Sequence, residues 1–182
     1  RQPRIHPAFD GAILHRGDLA SSPTDLLASF VGGVDVLYHC AGEIRDPRKM
    51  HAVHVQGTGN LCSAARGRIG HWVQLSSVGA YGHHAGGRVT EDTPPDPVGP
   101  YETTKTISDR CVMEAAEGGA FSYSILRPSN VYGPEMSNRH LFRLMAAIER
   151  GIFFFIGQPG ASANYIHVAN VVAALMLCGR AP

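Results

Sequence analysis

The chain has 182 residues, of which 44% are hydrophobic and 17% are charged, as is typical of a soluble globular protein with one sizeable core. Its 16 Lys and Arg nearly balance 15 Asp and Glu, so it lacks the basic surface of a nucleic-acid-binding protein. Its His and Cys residues are scattered without metal-ligand spacing, and no apolar run is long enough to cross a membrane, so we expect neither a metal site nor a membrane partner.

The first half of the chain alternates short apolar runs with segments of helical spacing. Strands are predicted at residues 12–15 and 34–39, where apolar and branched residues cluster. A helix is predicted between them, because Ser22-Pro23 resembles an N-cap followed by proline and Gly32-Gly33 ends the pattern. Apolar residues then recur with helical spacing over residues 47–66, which predicts a second helix.

The second half continues this alternation and becomes less regular after Pro134. The predicted elements are a strand at 71–76, a helix at 101–116, a strand at 121–126, a helix at 140–150, a strand at 153–156 and a strand running into a helix at 164–177. Strands separated by helices favour a parallel sheet with helices on both faces. The sequence therefore predicts the α/β class.

The cysteines and the first residue bear on the cellular context. None of the four cysteines forms a C-x-x-C pair, and each lies among apolar neighbours. Such thiols are typical of a reducing compartment, so we expect a cytoplasmic protein. The chain begins with Arg1 rather than Met, and we therefore expect a fragment of a longer protein.

Ligands of open parallel sheets bind beyond the carboxyl ends of the strands. Small and polar residues occupy these positions at Asp18, Cys40-Ala41-Gly42, Ser76-Ser77 and Pro128-Ser129-Asn130. Small side chains let a flat ligand approach the backbone, although they are also common in turns that bind nothing.

Tyr101 and Lys105 are four residues apart on a predicted helix and therefore share one face. A nearby ammonium lowers the pKa of a phenol, ordinarily about 10, so that it exchanges a proton with a carbinol or carbonyl oxygen while hydride moves. The hydroxyl of Ser77, at a predicted strand end, is suited to bind the same oxygen. Since the chain has six tyrosines, chance alone also explains the Tyr–Lys pair, and Ser77 is what favours the chemical interpretation.

Motifs that include these residues cover nearly the whole chain, at 16–19, 36–42, 55–58, 75–82, 91–94, 101–105, 126–134 and 165–168. In this order they resemble the motifs of the extended short-chain dehydrogenases/reductases, the NAD-dependent epimerase/dehydratase group that includes UDP-galactose 4-epimerase and dTDP-glucose dehydratase. The most specific are Tyr-x-x-x-Lys at 101–105 and Leu-Arg-Pro-x-Asn-Val-Tyr-Gly-Pro at 126–134. The resemblance implies a Rossmann-like, doubly wound parallel sheet and NAD or NADP as cofactor.

The resemblance also implies roles for individual residues. Tyr101 would be the catalytic acid or base, Lys105 would set its pKa and bind the cofactor's ribose, and Ser77 would hold the reacting oxygen. The residues expected at the cofactor are Asp18, Leu19, Cys40, Ala41, Gly42, His54, Ser76, Tyr101, Lys105, Pro128 and Ser129. The residues expected at the substrate are Ser77, Val78, Tyr101 and Asn130.

Three features depart from the family's pattern. The glycine-rich phosphate loop is absent from this sequence. His54 replaces an Asn that helps to anchor the active-site helix or a water, and histidine can also donate a hydrogen bond there. Asn170 replaces the usual Asp, and Ala163 and Asn164 lie near the position of a frequent substrate-binding Arg, which weakens the case for a nucleotide-sugar diphosphate.

The missing phosphate loop, together with the resemblance, which aligns the start of the chain with the end of the family's second strand, predicts a partial domain. Residues 1–134 would form a partial NAD(P)-binding domain without its first strand, and residues 135–182 would begin a substrate-binding portion interleaved with the last part of that domain. With the family's strand order, the strands at 12–15 and 34–39 would be the third and fourth, separated by a gap of roughly 14 Å. We expect this segment alone neither to fold stably nor to bind NAD(P) tightly.

The full-length relative is expected to be an NAD(P)-dependent epimerase, dehydratase or reductase that transfers hydride at a carbinol or carbonyl carbon. Its substrate would be a nucleotide sugar or a sterol-like alcohol, and a homodimer is one expected assembly. Two alternatives stay open: an enzyme similar to 3β-hydroxysteroid dehydrogenase or dihydroflavonol reductase, and a truncated or non-catalytic member that only binds a dinucleotide. The sequence leaves open the exact substrate, the choice of NAD or NADP and the oligomeric state.

Overall fold

The computed structural model describes residues 11–82, 88–134, 136, 140–154 and 164–180. The strands in these segments are β1 Val36–His39, β2 His71–Leu75, β3 Ser122–Leu126, β4 Asn130–Tyr132 and β5 Tyr165–His167. The α-helices are α1 Thr24–Val31, α2 Pro47–Met50, α3 Gly57–Ala65, α4 Pro100–Ala116, α5 His140–Glu149 and α6 Val168–Cys178. A π-helical segment, His51–Gln56, joins α2 to α3, and 3₁₀ turns occupy Val78–Tyr81 and Glu117–Gly119.

β1, β2 and β3 form a parallel sheet in that order, with β2 in the centre. Val36 pairs with His71, and His71 pairs with Ser122, so the three strands begin level with one another. β4 and β5 pair in parallel as a separate two-stranded sheet. The residues that follow β1, β2 and β3 therefore meet at one edge, where parallel sheets bind their ligands.

The side chains of β2 alternate between two covered faces. Trp72 is fully buried in the larger core, to which α1, α3 and α4 contribute. Val73 belongs to a second cluster with Val171 and Leu175 of α6. Helices thus pack on both faces of a parallel sheet, which confirms the α/β arrangement predicted from the sequence.

The helix predicted at residues 47–66 is observed, but its middle is wound more widely than an α-helix. Asp46 caps the start by accepting a hydrogen bond from the Arg48 amide at 3.1 Å. The π-helical segment follows directly and contains the buried His54. Such insertions change the direction of the side chains around them and are frequent at functional sites.

The other regular elements agree with the predictions in type, and their bounds differ by one or two residues. The exception is β4, which the sequence analysis missed. It has three residues and follows closely on Pro128, so it is too short to show an alternating pattern.

The strand predicted at residues 12–15 is wrong. Residues 12–18 have no regular structure, and the side chain of Ile13 is 85% exposed. A short apolar run becomes a strand only where a neighbour completes its backbone hydrogen bonds, and no strand of the described segments lies beside it. The predicted gap between two strands therefore does not arise, and β1 is an edge strand of the described sheet.

The strand predicted at residues 153–156 is also wrong where it can be compared. Residues 152–154 are irregular, and residues 155 and 156 lie outside the described residues.

Within the described segments, no helix combines the length and the apolar character that crossing a membrane requires. In the same segments, no three His, Cys, Asp or Glu side chains are grouped as metal ligands.

Candidate functional site

A cavity of about 700 Å³ opens at the sheet edge where β1, β2 and β3 end. Its wall contains the three residues predicted to be catalytic, Ser77, Tyr101 and Lys105. The other predicted site residues in the wall are Cys40, Ala41, Gly42, Ser76, Pro128, Ser129 and Asn130. The fold thus brings together side chains from four separate parts of the sequence.

α4 begins at the cavity because of the two residues at its start. Gly99 has a φ of 92°, a conformation that favours glycine, and Pro100 occupies the first helical turn, where its missing N–H is not needed. Tyr101 and Lys105 then follow one helical turn apart, and both line the cavity. The helix presents the pair as its spacing predicts.

Lys105 is only 4% exposed. Its ammonium donates a hydrogen bond of 2.6 Å to the carbonyl of Leu75, the last residue of β2. Burial lowers the pKa of Lys105, whereas the nearby Asp109 and Cys40 side chains raise it. A strand end and a carboxylate therefore support a buried cation in the cavity wall.

Tyr101 is partly buried, and its pKa is raised, first by burial and then by the neighbouring Glu102 carboxylate. The predicted lowering of this pKa by Lys105 stays a prediction, and Lys105 is not among the causes of the shift in this conformation. The physical reason is that the lysine ammonium is directed at the Leu75 carbonyl. The phenol is held in its protonated form, which is the form that donates a proton.

Ser77 follows β2 in an extended conformation and caps the 3₁₀ turn at Val78–Tyr81. Its hydroxyl oxygen accepts a hydrogen bond from the Gly79 amide at 3.1 Å, so the hydroxyl hydrogen is left to donate. Gly79 lets this turn pack closely on α4, because a Cβ atom there would lie 2.6 Å from the Glu102 side chain. The serine hydroxyl is thereby held in the wall between the sheet edge and α4.

His54 lies behind the wall and is 1% exposed. Its Nε2 accepts a hydrogen bond from the Glu43 amide at 2.8 Å, and its Nδ1 lies 2.8 Å from the Thr104 hydroxyl oxygen. The Thr104 hydroxyl donates its own hydrogen to the Pro100 carbonyl at 2.7 Å, so its oxygen accepts from Nδ1. The His54 ring is therefore neutral, with its hydrogen on Nδ1. Burial, together with Lys105, lowers the pKa of His54 to about 4.

This position makes His54 a support for α4 rather than a member of the cavity wall. Its ring packs edge-on against Tyr101 with the ring centroids 5.6 Å apart, and its bond to Thr104 reaches the same helix. These contacts are of the anchoring kind that the family resemblance implies for this position. The predicted contact of His54 with the cofactor stays a prediction.

Three further predicted residues lie outside the cavity. Asp18 accepts a hydrogen bond from the Ala20 amide at 2.9 Å. Leu19 packs on the larger core and lines a separate cleft of about 100 Å³ beside α1. Val78 is 40% exposed in the turn after Ser77. The cofactor and substrate contacts of these residues stay predictions.

The cavity also contains apolar and aromatic residues that the sequence analysis did not assign to a site. These residues are Ile44, Leu75, Val131, Met136, Leu141 and Tyr165. Leu75, Val131 and Tyr165 belong to the motifs at 75–82, 126–134 and 165–168. Their place in these motifs could have assigned them to the site from the sequence alone. The others follow no pattern that points to a site, since only the tertiary fold brings them to the sheet edge.

Two comparisons of the sequence with known proteins found similar proteins. The family model described as the NAD dependent epimerase/dehydratase family matches residues 2–182. Short-chain dehydrogenase/reductase family 42E member 1 of Xenopus laevis is 26% identical over 193 residues, which cover 94% of this chain and 48% of that protein.

Two solved structures are similar in both fold and sequence. MoeE5 in complex with UDP-glucuronic acid and NAD has a TM-score of 0.75 and 29% identity, covering 92% of this chain and 58% of the other. DesIV, a dTDP-glucose 4,6-dehydratase from Streptomyces venezuelae with NAD bound, has a TM-score of 0.72 and 26% identity, covering 88% of this chain and 52% of the other. These structures confirm the Rossmann-like fold. The chain spans about half the length of the relatives it matches.

Proposed function

We propose that this chain, which belongs to the NAD dependent epimerase/dehydratase family, carries the catalytic centre of an NAD(P)-dependent epimerase, dehydratase or reductase. The observation that carries the proposal is that Ser77, Tyr101 and Lys105 line one cavity at the carboxyl edge of a parallel sheet. A module that only binds a dinucleotide does not need all three groups. The set therefore favours an enzyme over the non-catalytic alternative.

The cavity wall at the end of β1 fits a flat cofactor. Cys40, Ala41 and Gly42 are small and leave room beside the backbone. Lys105 uses one ammonium hydrogen on Leu75 and has two more with which to bind a ribose. MoeE5 and DesIV were both solved with NAD, which supports NAD as the cofactor here. When bound, its nicotinamide ring supplies the acceptor or donor of hydride.

The proton chemistry follows from the three side chains. In the reducing direction, Tyr101 donates its phenolic proton to the carbonyl oxygen as hydride reaches the carbon, and an alcohol and a phenolate result. The Lys105 ammonium stabilises the phenolate, and the Ser77 hydroxyl donates a hydrogen bond to the reacting oxygen. The raised pKa of Tyr101 suits this direction. Oxidation is the reverse step, in which the phenolate takes the carbinol proton.

Two substrate classes have support. A nucleotide sugar is supported by MoeE5, which was solved with UDP-glucuronic acid, and by DesIV, a dTDP-glucose dehydratase. A sterol-like alcohol, the substrate of an enzyme similar to 3β-hydroxysteroid dehydrogenase, is supported by Ile44, Val131 and Leu141 in the cavity wall. The same hydride and proton transfer serves both classes.

The division of the chain at residue 134 is part of this proposal. The packing of α6 against Val73 of the sheet supports a substrate-binding portion interleaved with the nucleotide-binding domain. The predicted homodimer and the predicted cytoplasmic location stay predictions.

Tyr101→Phe in the full-length protein tests the proposal, because it removes the proton carrier and keeps the ring. We expect turnover to fall by about two to four orders of magnitude, the usual contribution of general acid–base catalysis. NAD affinity, measured by isothermal titration calorimetry, should barely change. Turnover is followed as NADH absorbance or product formation with NAD and UDP-glucose, dTDP-glucose or a 3β-hydroxysteroid.

Tyr123→Phe is the matched control, because Tyr123 lies on β3 and is 40% exposed. This variant should keep the activity of the unmodified protein. Full turnover by Tyr101→Phe would contradict the assignment of the proton carrier. A well-folded wild-type protein that binds neither NAD nor NADP would contradict the enzyme proposal as a whole.

A further inference from the structure

A buried ion pair lies next to the cavity, and neither of its members was among the predicted site residues. Asp109 on α4 is 1% exposed, and Arg127 directly follows β3. Asp109 Oδ2 accepts hydrogen bonds from Arg127 Nη2 at 3.0 Å, from Arg127 Nε at 3.1 Å and from the Ser76 hydroxyl at 2.7 Å. One carboxylate oxygen therefore joins α4 to the ends of β2 and β3.

These bonds hold the segment that carries Ser77 at both ends. Ser76 precedes it, and its amide also donates to the Leu126 carbonyl at 2.8 Å. At the far end, Arg127 Nη1 donates to the Tyr81 hydroxyl at 2.8 Å, and the guanidinium carbon lies 4.9 Å from the centre of the Tyr81 ring. Ser76, at the start of the segment, thus bonds directly to the Asp109 carboxylate. Tyr81, at its end, is joined to the same carboxylate through Arg127.

Asp109 also acts on Lys105, which lies one turn earlier on the same side of α4. Burial lowers the pKa of Lys105, and Asp109 is the strongest influence that opposes it. Cys40 and Tyr101 beside the lysine have pKa values raised by burial, so they are uncharged at neutral pH. The nearby histidines, His39 and His54, have pKa values lowered to about 3 and about 4, so they too are neutral. Burial raises the pKa of Asp109 itself, whereas the Ser76 hydroxyl, Arg127 and Lys105 all favour its charged form. Paired with Arg127, Asp109 is the group that supplies an anion beside Lys105.

A purely structural role explains this pair poorly. Asp109 Oδ1 has no hydrogen-bond partner among the described residues, although it is buried. A buried carboxylate with one unpaired oxygen costs stability, and well-packed apolar residues are often at least as stable as a buried ion pair. The arrangement is better explained if the charge itself is needed at this place.

We propose that Asp109 is a positioning residue of the catalytic centre: it keeps the Lys105 ammonium charged in its buried place and holds the Ser77 segment against α4. The proposal rests on the proposed function, because Lys105 and Ser77 are the groups that act there on cofactor and substrate. The charge of Lys105 can nevertheless be measured without either ligand. The two proposals can therefore fail separately.

The test is the titration of Lys105 by NMR in the full-length protein labelled with ¹³C at the lysine ε-carbons. This chain contains two lysines, Lys49 and Lys105, and the Lys105 signal is identified by its loss in Lys105→Arg. Asp109→Asn keeps the shape of the side chain and removes its charge. We expect the Lys105 midpoint to fall by about one pH unit, as for the loss of an opposite charge one helical turn away. The signal of the exposed Lys49 serves as the internal reference.

Two matched variants separate the charge from the hydrogen bonds. Ser76→Ala removes one hydrogen bond to Asp109 Oδ2 and leaves the charge, so the Lys105 midpoint should not move. With a substrate that the wild type uses, Ser76→Ala should lower kcat by roughly five- to tenfold at an unchanged KM, because only the placement of Ser77 is loosened. Asp109→Glu retains the charge and should keep the midpoint of the wild type.

Asp109→Asn leaves the Arg127 guanidinium without its partner, which endangers folding. The double variant Asp109→Asn/Arg127→Met removes both charges, and we expect a shift in the same downward direction, since Asp109 is the first of the groups that raise the pKa of Lys105. An unchanged Lys105 midpoint in a folded variant without the Asp109 charge would overturn the proposal. A wild-type protein that binds neither NAD nor NADP would instead overturn the proposed function and leave the Lys105 result standing.

Discussion

His54 is held by hydrogen bonds that only the neutral ring can make. Nε2 accepts from the Glu43 amide, and Nδ1 donates to the Thr104 hydroxyl. A proton added to Nε2 would face the amide hydrogen and break the bond to Glu43. His39 is similarly enclosed, with 3% of its surface exposed and Nε2 at 2.9 Å from the Thr58 hydroxyl. The fold therefore favours two uncharged histidines.

We expect the free energy of unfolding to decrease as the pH falls from about 6.5 to about 4. The pKa values of His54 and His39 in the folded protein are about 4 and about 3, below the value of 6.5 of an unperturbed histidine. In this range the unfolded chain binds protons that the folded protein does not bind, so the stability present above pH 6.5 is lost on acidification. Urea unfolding followed by circular dichroism at about pH 7.5, 6 and 5 measures the change.

His54→Asn removes one of the two groups and should make this pH dependence shallower. His51→Asn changes an exposed histidine of the same π-helical segment and should leave the pH dependence as it is. If His54→Asn retained the full slope of the wild type, His54 would not be one of its sources.

The residues of the site were predictable to different degrees. Motifs along the chain identified Ser77, Tyr101 and Lys105, because each belongs to a local pattern with fixed spacing. The contacts that support them were not predictable. Asp109 and Arg127 are 18 positions apart, and His54 and Thr104 are 50 positions apart. Nothing local in the sequence encodes such pairs, because they form only when α4 packs against the sheet and the π-helical segment.

At the scale of elements, buried hydrogen bonds join the sheet to its helices alongside the apolar core. The Gln74 side-chain nitrogen donates to Ser108 Oγ at 2.9 Å, and its oxygen accepts from Trp72 Nε1 at 3.0 Å. The Ser108 and Thr58 hydroxyl oxygens are 2.9 Å apart, and Thr58 reaches His39. The series crosses from β2 to α4, then to α3, and ends on β1.

Gln74→Leu should destabilise the protein by about 2 to 5 kcal/mol, because the Trp72 N–H loses its acceptor and the Ser108 hydroxyl loses a donor inside the core. Urea unfolding at neutral pH measures the difference. Gln56→Leu is the control, since Gln56 is exposed in the π-helical segment, and its effect should stay within about 0.5 kcal/mol. Equal effects of the two variants would show that the buried series contributes little.

The elements themselves were predictable where their pattern is long enough to be distinctive. α4 has 17 residues and β2 has five, and both were predicted within one residue of their bounds. β4 has only three residues, and its strand conformation depends on pairing with β5. Residues 12–15 show the opposite case, because an apolar run without a neighbouring strand stays irregular. The π-helical segment has no sequence signature, since helical spacing is common to both kinds of helix.

At the scale of the whole molecule, α5 and α6 leave apolar surface uncovered within the described segments. The exposed large apolar residues of the two helices are Phe142, Met145, Ile148, Val168, Val172, Met176 and Leu177. The three on α5 recur every third residue and so fall on one side of the helix. Apolar surface of this kind marks contact with further protein. The relatives it matches, about twice as long as this chain, contain protein that is suited to cover it.

We therefore expect the 182-residue chain, produced by itself, to self-associate at about micromolar concentration, because burying exposed apolar side chains between copies is favourable. Sedimentation velocity over a range of concentrations measures the association. The double variant Ile148→Lys/Leu177→Lys places a charge on each helix and should shift the distribution towards the monomer. Val89→Lys, at an apolar residue outside both helices that is 38% exposed, is the control and should associate as the wild type does. A wild-type chain that sediments as a folded monomer throughout would mean that these helices need no further protein against them.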